Sequence, residues 1–333
     1  MPKKIMNLPE DCVSEAMEGF LAANKDYVQV EGASAIRVRN LKDKPAMIVG
    51  GGSGHEPMFG YFVGENLADA SVAGSVFTSP DPGSILQAAQ AVDRGKGILF
   101  VYGNYSGDNM NFDIAGEMLG DMDIPVKTVR VWDDVASASK ENYLDRRGIA
   151  GNVLVIKIAG AATASGLDLE EAYRVACKAR DNVYSIGVGL SGATIPGEDK
   201  PIFTLADDEM EYGLGIHGEP GVRRVKLQTA DEIVEELVEK ILEDSGIQAG
   251  DTVCTLVNGL GATPLLELYV MNRKLARLLQ EKGIQVHDMD VGTYVTSLEM
   301  AGASVTILKL DDELKNYYDM PCLLYTSDAA DEL

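Results

Sequence analysis

AMIVGGGSGHEP, residues Ala46 to Pro57, is a short apolar run that breaks into a glycine-rich turn carrying a histidine. The same design recurs along the chain. Gly97–Tyr102 runs into GNYSGD, Val153–Ile158 into AGAATASG, and Thr252–Val257 into NGLGATP. Near-continuous apolar runs of this length, without period-2 alternation, predict buried strands of mixed, largely parallel sheets. Helical stretches alternate with them. Thr229 to Glu232 forms a capping box followed by Ile233, Leu237 and Ile241 at helical spacing and closed by Gly246, and Thr263-Pro264 reads as another helix start. Strand, turn and helix in alternation is the α/β class, whose ligands sit beyond the carboxyl ends of the strands.

The length of 333 residues accommodates two α/β domains. A boundary is expected near residue 182, after a helix over Leu167–Arg180, giving domains 1–182 and 183–321. The stretch from Ser185 to Gly221, rich in glycine and poor in helical period, reads as a long functional loop or hairpin region. The last twelve residues, CLLYTSDAADEL (322–333), lack strand or helix logic and match a translated sequencing adapter, so a non-native tail is expected there.

Apolar residues at 46% and charged residues at 24% describe a globular protein, and the net charge of -23 disfavours nucleic acid and anionic membranes as partners. Much of the acidic excess lies on helix faces such as Glu232 to Asp244. The four cysteines are scattered without C-x-x-C spacing, which implies a reducing, cytoplasmic setting. MPKKIMNLPEDC lacks the apolar core of a signal peptide, and no apolar run reaches the roughly 18 residues of a membrane span.

Two of the three histidines, His55 in GGGSGHEP and His217 in GLGIHGEPG, lie in glycine-rich turns. Flanking glycines let the backbone bend and approach a ligand closely. One such histidine is ordinarily a turn residue; two in one chain point to a site. His287, on an expected strand Val286–Asp290, has no such setting and reads as structural. Asp108, just after an apolar run, is either a helix N-cap or a general base whose pKa burial has raised. GGGSGHEP lacks the lysine of a phosphate loop, His55 replaces the last glycine of a dinucleotide fingerprint, and no metal-ligand cluster is evident, so no cofactor site is expected on this chain.

GGGSGHEP, FTSPDPGSI (77–85), NYSGDNMNFD (104–113), RRGIAG (146–151), FTLADDEMEYGLGIHGEPG (203–221) and LVNGLGATPLLELY (256–269) together resemble the substrate-binding K subunit, or K domain, of dihydroxyacetone kinases. The resemblance runs from about residue 5 to Pro321. It implies a homodimer of two-domain α/β subunits that binds dihydroxyacetone through a hemiaminal on the second histidine, here His217. It places the other active histidine on His55, the aspartate on Asp108, and substrate contacts on Gly52, Ser53 and Gly54. Phosphate would come from a separate L subunit or domain carrying ADP or ATP with Mg, recharged by a third protein in the phosphotransferase-linked version. Paralogues acting as ketose-binding co-activators of transcription are the alternative, as is a K domain cut from a fused K–L protein; retention of Asp108 beside both histidines favours the kinase. Where many members carry a lysine before Asn104, this chain has Gly103, which makes a longer ketose such as erythrulose an alternative substrate.

Overall fold

A computed structural model describes residues 3–322. The first six-stranded sheet comprises β1 (Tyr27–Gln29), β2 (Ala35–Val38), β3 (Ala46–Ser53), β4 (Ala70–Val76), β5 (Ile98–Gly103) and β6 (Val126–Val131), in the order β1-β2-β4-β3-β5-β6. The second comprises β7 (Val183–Ser191), β8 (Glu209–Tyr212), β9 (Arg223–Lys226), β10 (Thr252–Gly259), β11 (Gln285–Gly292) and β12 (Ala301–Leu310), in the order β11-β10-β12-β7-β8-β9. The α/β class and the mixed sheets are as expected. Parallel pairing is concentrated in the first sheet, joining β4, β3, β5 and β6. In the second only β10 and β11 run parallel, because hairpin and meander connections link most of its strands.

The helices are α1 (Cys12–Ala23), α2 (Pro82–Val92), α3 (Ser106–Gly120), α4 (Gly151–Ala164), α5 (Leu169–Arg180), α6 (Ala230–Ser245), α7 (Leu265–Glu281) and α8 (Asp312–Tyr318). Alternate residues of each strand divide between two faces. Ile48, Val72 and Phe100 pack beneath α2 and α3. Met47, Val49, Leu99 and Val101 face α4 and α5, which also receive Cys254, Leu256 and Leu308 from the second sheet. The opposite face of that sheet, with Val253, Val257, Val305 and Ile307, packs on α6 and α7.

Helix α4 overturns the strand expected at Val153–Ile158. It touches β3 and β5 on one side and β7 and β12 on the other, and Val153, Leu154, Val155, Ile156 and Ile158 are all buried. A helix enclosed on every side is apolar all round, so it loses the polar stripe that distinguishes a helix from a buried strand in sequence. Other expectations at α6 hold: Thr229 and Glu232 exchange both capping-box hydrogen bonds, and Gly246 takes the left-handed conformation that ends the helix. Pro264 caps α7 from just outside rather than occupying its first turn. Of the expected loop region 185–221, the first part extends β7 and residues 209–212 form β8, leaving a hairpin loop that carries His217. Of the tail, Cys322 packs into the core between the sheets, and 323–333 lie outside the described residues. No helix among the described residues is long and apolar enough to cross a membrane.

Asn258, at the end of β10, is fully buried and holds the segment after β11. Its Nδ2 donates to Val295 O at 2.8 Å, while Oδ1 accepts from the amides of Tyr294 and Val295, both at 2.9 Å. Removing it strands buried backbone groups, each worth about 1–3 kcal/mol. Asn258→Ala should therefore lower unfolding stability by about 2–4 kcal/mol in urea titrations; a loss below about 1 kcal/mol would show that the segment is held by other contacts.

Candidate active site

The parallel strands β3, β5 and β6 aim their carboxyl ends at one cleft. β3 delivers Gly52 and then His55; β5 ends at Gly103 and leads into α3, with Asp108 in its first turn. His217 arrives from the β8–β9 hairpin of the other sheet. The structure brings Gly52, His55, Gly103, Tyr105, Asp108, Asn152 and His217 around one cavity of about 20 Å³.

The two histidine rings meet edge to face, with Nε2 of His55 3.0 Å from Nε2 of His217. His55 is buried, and its Nδ1 lies 2.7 Å from Thr296 O, which can only accept. The proton of His55 is therefore on Nδ1. Burial drives its pKa down to about 3, with the His217 charge adding to the effect, so the ring is neutral and its Nε2 bare. Across the 3.0 Å contact, His217 must be the donor. Its Nδ1 also faces an acceptor, Glu219 Oε1 at 3.0 Å, so in this geometry both His217 ring nitrogens carry hydrogens.

Glu219 also accepts from the His217 amide at 3.0 Å. Burial pushes its carboxyl up, but the hydrogen bond and charge of His217, with Arg147 beyond, outweigh burial and hold it at about 2. Arg147 is itself fixed by Asp134, donating to Oδ2 at 2.7 and 3.0 Å. Glycine at 215 leaves room for this pair, because a β-carbon would displace Glu219 Oε2 and Arg147 Nη1 from their positions. Phe77 stacks on His55 at 5.0 Å and takes a left-handed φ of 56°, an uncommon conformation for an aromatic residue.

Asp108 is not an N-cap: Tyr105 occupies that position, and Asp108 Oδ1 has no hydrogen-bond partner among the described residues. Burial raises its pKa to about 6, against the opposing effects of Ser79 and His217. Ser53 and Gly54 face elsewhere. Ser53 Oγ donates to Gly74 O at 2.7 Å, the Gly54 amide to the Glu56 carboxylate, and both residues line a separate, mainly apolar cavity of about 290 Å³ beneath α1. His287 pairs with Asp319 at 2.6 Å, in keeping with a structural role. Asp208, another carboxylate near His217 in sequence, binds Lys226 instead. Thr296, Arg147, Asp134 and Asn152 carried no individual signal in the sequence, although RRGIAG includes Arg147.

A family model described as the Dak1 domain matches residues 18–325. The chain belongs to the dihydroxyacetone kinase K-subunit family. Among its family relatives, the dihydroxyacetone-binding subunit DhaK of PTS-dependent dihydroxyacetone kinase 2 from Listeria innocua is 44% identical over 324 residues, covering 96% of this chain and 97% of that protein. The L-erythrulose 1-kinase of Mycolicibacterium smegmatis is 41% identical over 322 residues, covering 95% of this chain but 56% of that protein. The solved structure of the dihydroxyacetone kinase operon co-activator Dha-DhaQ matches with a TM-score of 0.87 at 32% identity, covering 92% of this chain and 95% of that one.

A K-subunit aspartate serving as a structural cap would stabilise the fold; the burial of Asp108 implies the reverse. Because its folded pKa of about 6 exceeds the ordinary 3.8, ionisation destabilises the fold as pH rises from about 4 to about 6. Asp108→Asn should thus melt above the wild type at pH 7 and lose that advantage below about pH 4. A variant less stable at pH 7 would return Asp108 to a structural role.

Proposed function

We propose that this chain binds dihydroxyacetone, or a closely related hydroxyketone, as a covalent hemiaminal on His217 and presents a hydroxyl for phosphorylation. The observation that carries this reading is the fixed polarity of the histidine pair: a neutral acceptor, His55, faces the nitrogen that must lose a proton to attack. His217 Nε2 passes its proton to His55 Nε2, and the freed lone pair forms a bond to the ketone carbon. The carbonyl π bond breaks, and its oxygen takes the proton from His55 to become a hydroxyl. The alkylated ring keeps one positive charge opposite Glu219, so charge and protons balance. Covalent capture selects for a carbonyl and fixes a very small ligand in one orientation, which non-covalent contacts to so few atoms do poorly.

Asp108 then takes the proton of a terminal hydroxyl as its oxygen attacks the terminal phosphorus of a nucleoside triphosphate, releasing the diphosphate. A carboxylate titrating near 6 is ionised at neutral pH yet basic enough for this role. The nucleotide, with Mg, belongs to an L-type partner subunit or domain, and the K subunits pair as a cytoplasmic homodimer. In a second reading, supported by the likeness to the Dha-DhaQ co-activator, the hemiaminal serves only ketose sensing. Asp108, buried with its Oδ1 unpaired among the described residues, favours the kinase.

Dihydroxyacetone labelled with 13C at the carbonyl tests the covalent step. On adding the chain, the label should move from the ketone region to that of a tetrahedral carbon bonded to nitrogen, and His217→Ala should abolish the change. A label that remains ketonic in the wild-type complex contradicts the hemiaminal. Asp108→Asn should retain the tetrahedral signal while phosphorylation with an ATP-loaded L partner falls by about 10²–10⁴; wild-type turnover would remove Asp108 from the chemistry.

A further inference from the structure

His217 rides on a pliable piece of backbone. Residues 213–221, between β8 and β9, hold four glycines among nine residues, and Gly213 and Gly218 take left-handed φ of 72° and 81°. A segment so poor in side chains has little of its own to fix it. Leu214 and Ile216 seat it by burial, but apolar contact is not directional. The 3.0 Å contact between the two histidine Nε2 atoms is directional, and it needs the turn held in one place.

Arg147 supplies a hold from outside the hairpin. It lies in the segment joining β6 of the first sheet to α4, and it does not line the cavity itself. Its Nε and Nη2 donate to Oδ2 of buried Asp134 at 3.0 and 2.7 Å, while Asp134 Oδ1 accepts from the Ala136 amide at 3.1 Å. Nη2 also donates to Gly213 O at 2.9 Å, at the root of the turn. Nη1 faces Glu219 Oε2 at 4.0 Å, and Glu219 in turn accepts from the amide of His217 and binds its ring Nδ1. A planar guanidinium presents all these donors in one rigid fork. Asp134 balances much of its charge, so the fork acts on the hairpin chiefly by where it stands.

We propose that Arg147 is a positioning residue for His217: clamped to Asp134, its guanidinium brackets the hairpin at Gly213 and Glu219 and so keeps the His217 ring in contact with His55. The effect on ketone capture rests on the hemiaminal reading of His217; the effect on the histidine pair does not. Asp134 and Arg147 both stand on the first sheet's side of the cleft, so the bracket sets the place of the second sheet's histidine from the side that carries His55 and Asp108.

Arg147→Lys keeps a cation beside Asp134 but loses the fork, so it tests the bracket in a full chain whose buried carboxylate stays paired. Nitrogen-15 NMR of the ligand-free protein reads the first effect: the coupling between the two Nε2 atoms should be lost or weakened in Arg147→Lys. A coupling equal to that of the wild type overturns the proposal. Titration with carbonyl-13C dihydroxyacetone reads the second, and capture on His217 should weaken about tenfold, as for a lost hydrogen bond to a charged group. Wild-type capture in Arg147→Lys also overturns the bracket. Combining Arg147→Lys with Glu219→Gln separates positioning from plain stabilisation of the fold. Members of one network are not additive, so the combined loss should fall short of the product of the single losses by at least about threefold. A combined loss equal to that product means that Arg147 acts apart from Glu219, and it too overturns the bracket. Should the wild type capture no ketone, the hemiaminal reading fails, and the ligand-free coupling decides the bracket by itself.

Discussion

His55 stands on the turn after β3 of the first sheet, yet the carbonyl that fixes its ring belongs to Thr296, between β11 and β12 of the second. That contact is one stitch in a longer seam. The Leu298 amide donates to Gly54 O at 2.8 Å, the Met58 amide to Tyr294 O at 3.2 Å, and Thr296 Oγ1 to Glu56 O at 3.0 Å. Behind the seam, Asn258 ties residues 294 and 295 to β10. The His55 tautomer is thereby built into the backbone joining the two sheets, and a shift of one against the other would disturb it.

Two carboxyls in the same cleft are driven in opposite directions. Burial raises Asp108, whose Oδ1 is unpaired among the described residues, to about 6, whereas Glu219, bound to the His217 ring, is held at about 2. One can accept a proton near neutral pH; the other stays an anion and keeps a cationic ring opposite it. Environments that separate like groups in this way divide acid–base labour from electrostatic support.

Much of this was legible in the sequence, for identifiable reasons. A glycine turn after an apolar run marks the place where parallel strands deliver side chains to a ligand, and so His55 and Asp108 could be picked out. His217 was visible because glycines surround it, whereas Glu219 could be chosen as its partner only once the fold set its carboxylate 3.0 Å from the ring Nδ1. Helix α4 was misread because burial on all sides erased its polar stripe. Thr296 contributes a backbone carbonyl, which leaves no mark on residue type.

The proposed covalent chemistry depends on the direction of the hydrogen bond between the two Nε2 atoms. Nitrogen-15 NMR of the histidine rings in the ligand-free protein measures it directly. His55 should be the neutral tautomer with hydrogen on Nδ1, and it should stay so from pH 8 down to about 5, given a pKa near 3. A coupling through an N–H···N bond should link its bare Nε2 to that of His217, and ketose should abolish it. A His55 that carries its hydrogen on Nε2, or that titrates near the ordinary histidine value, would contradict the mechanism at its first step.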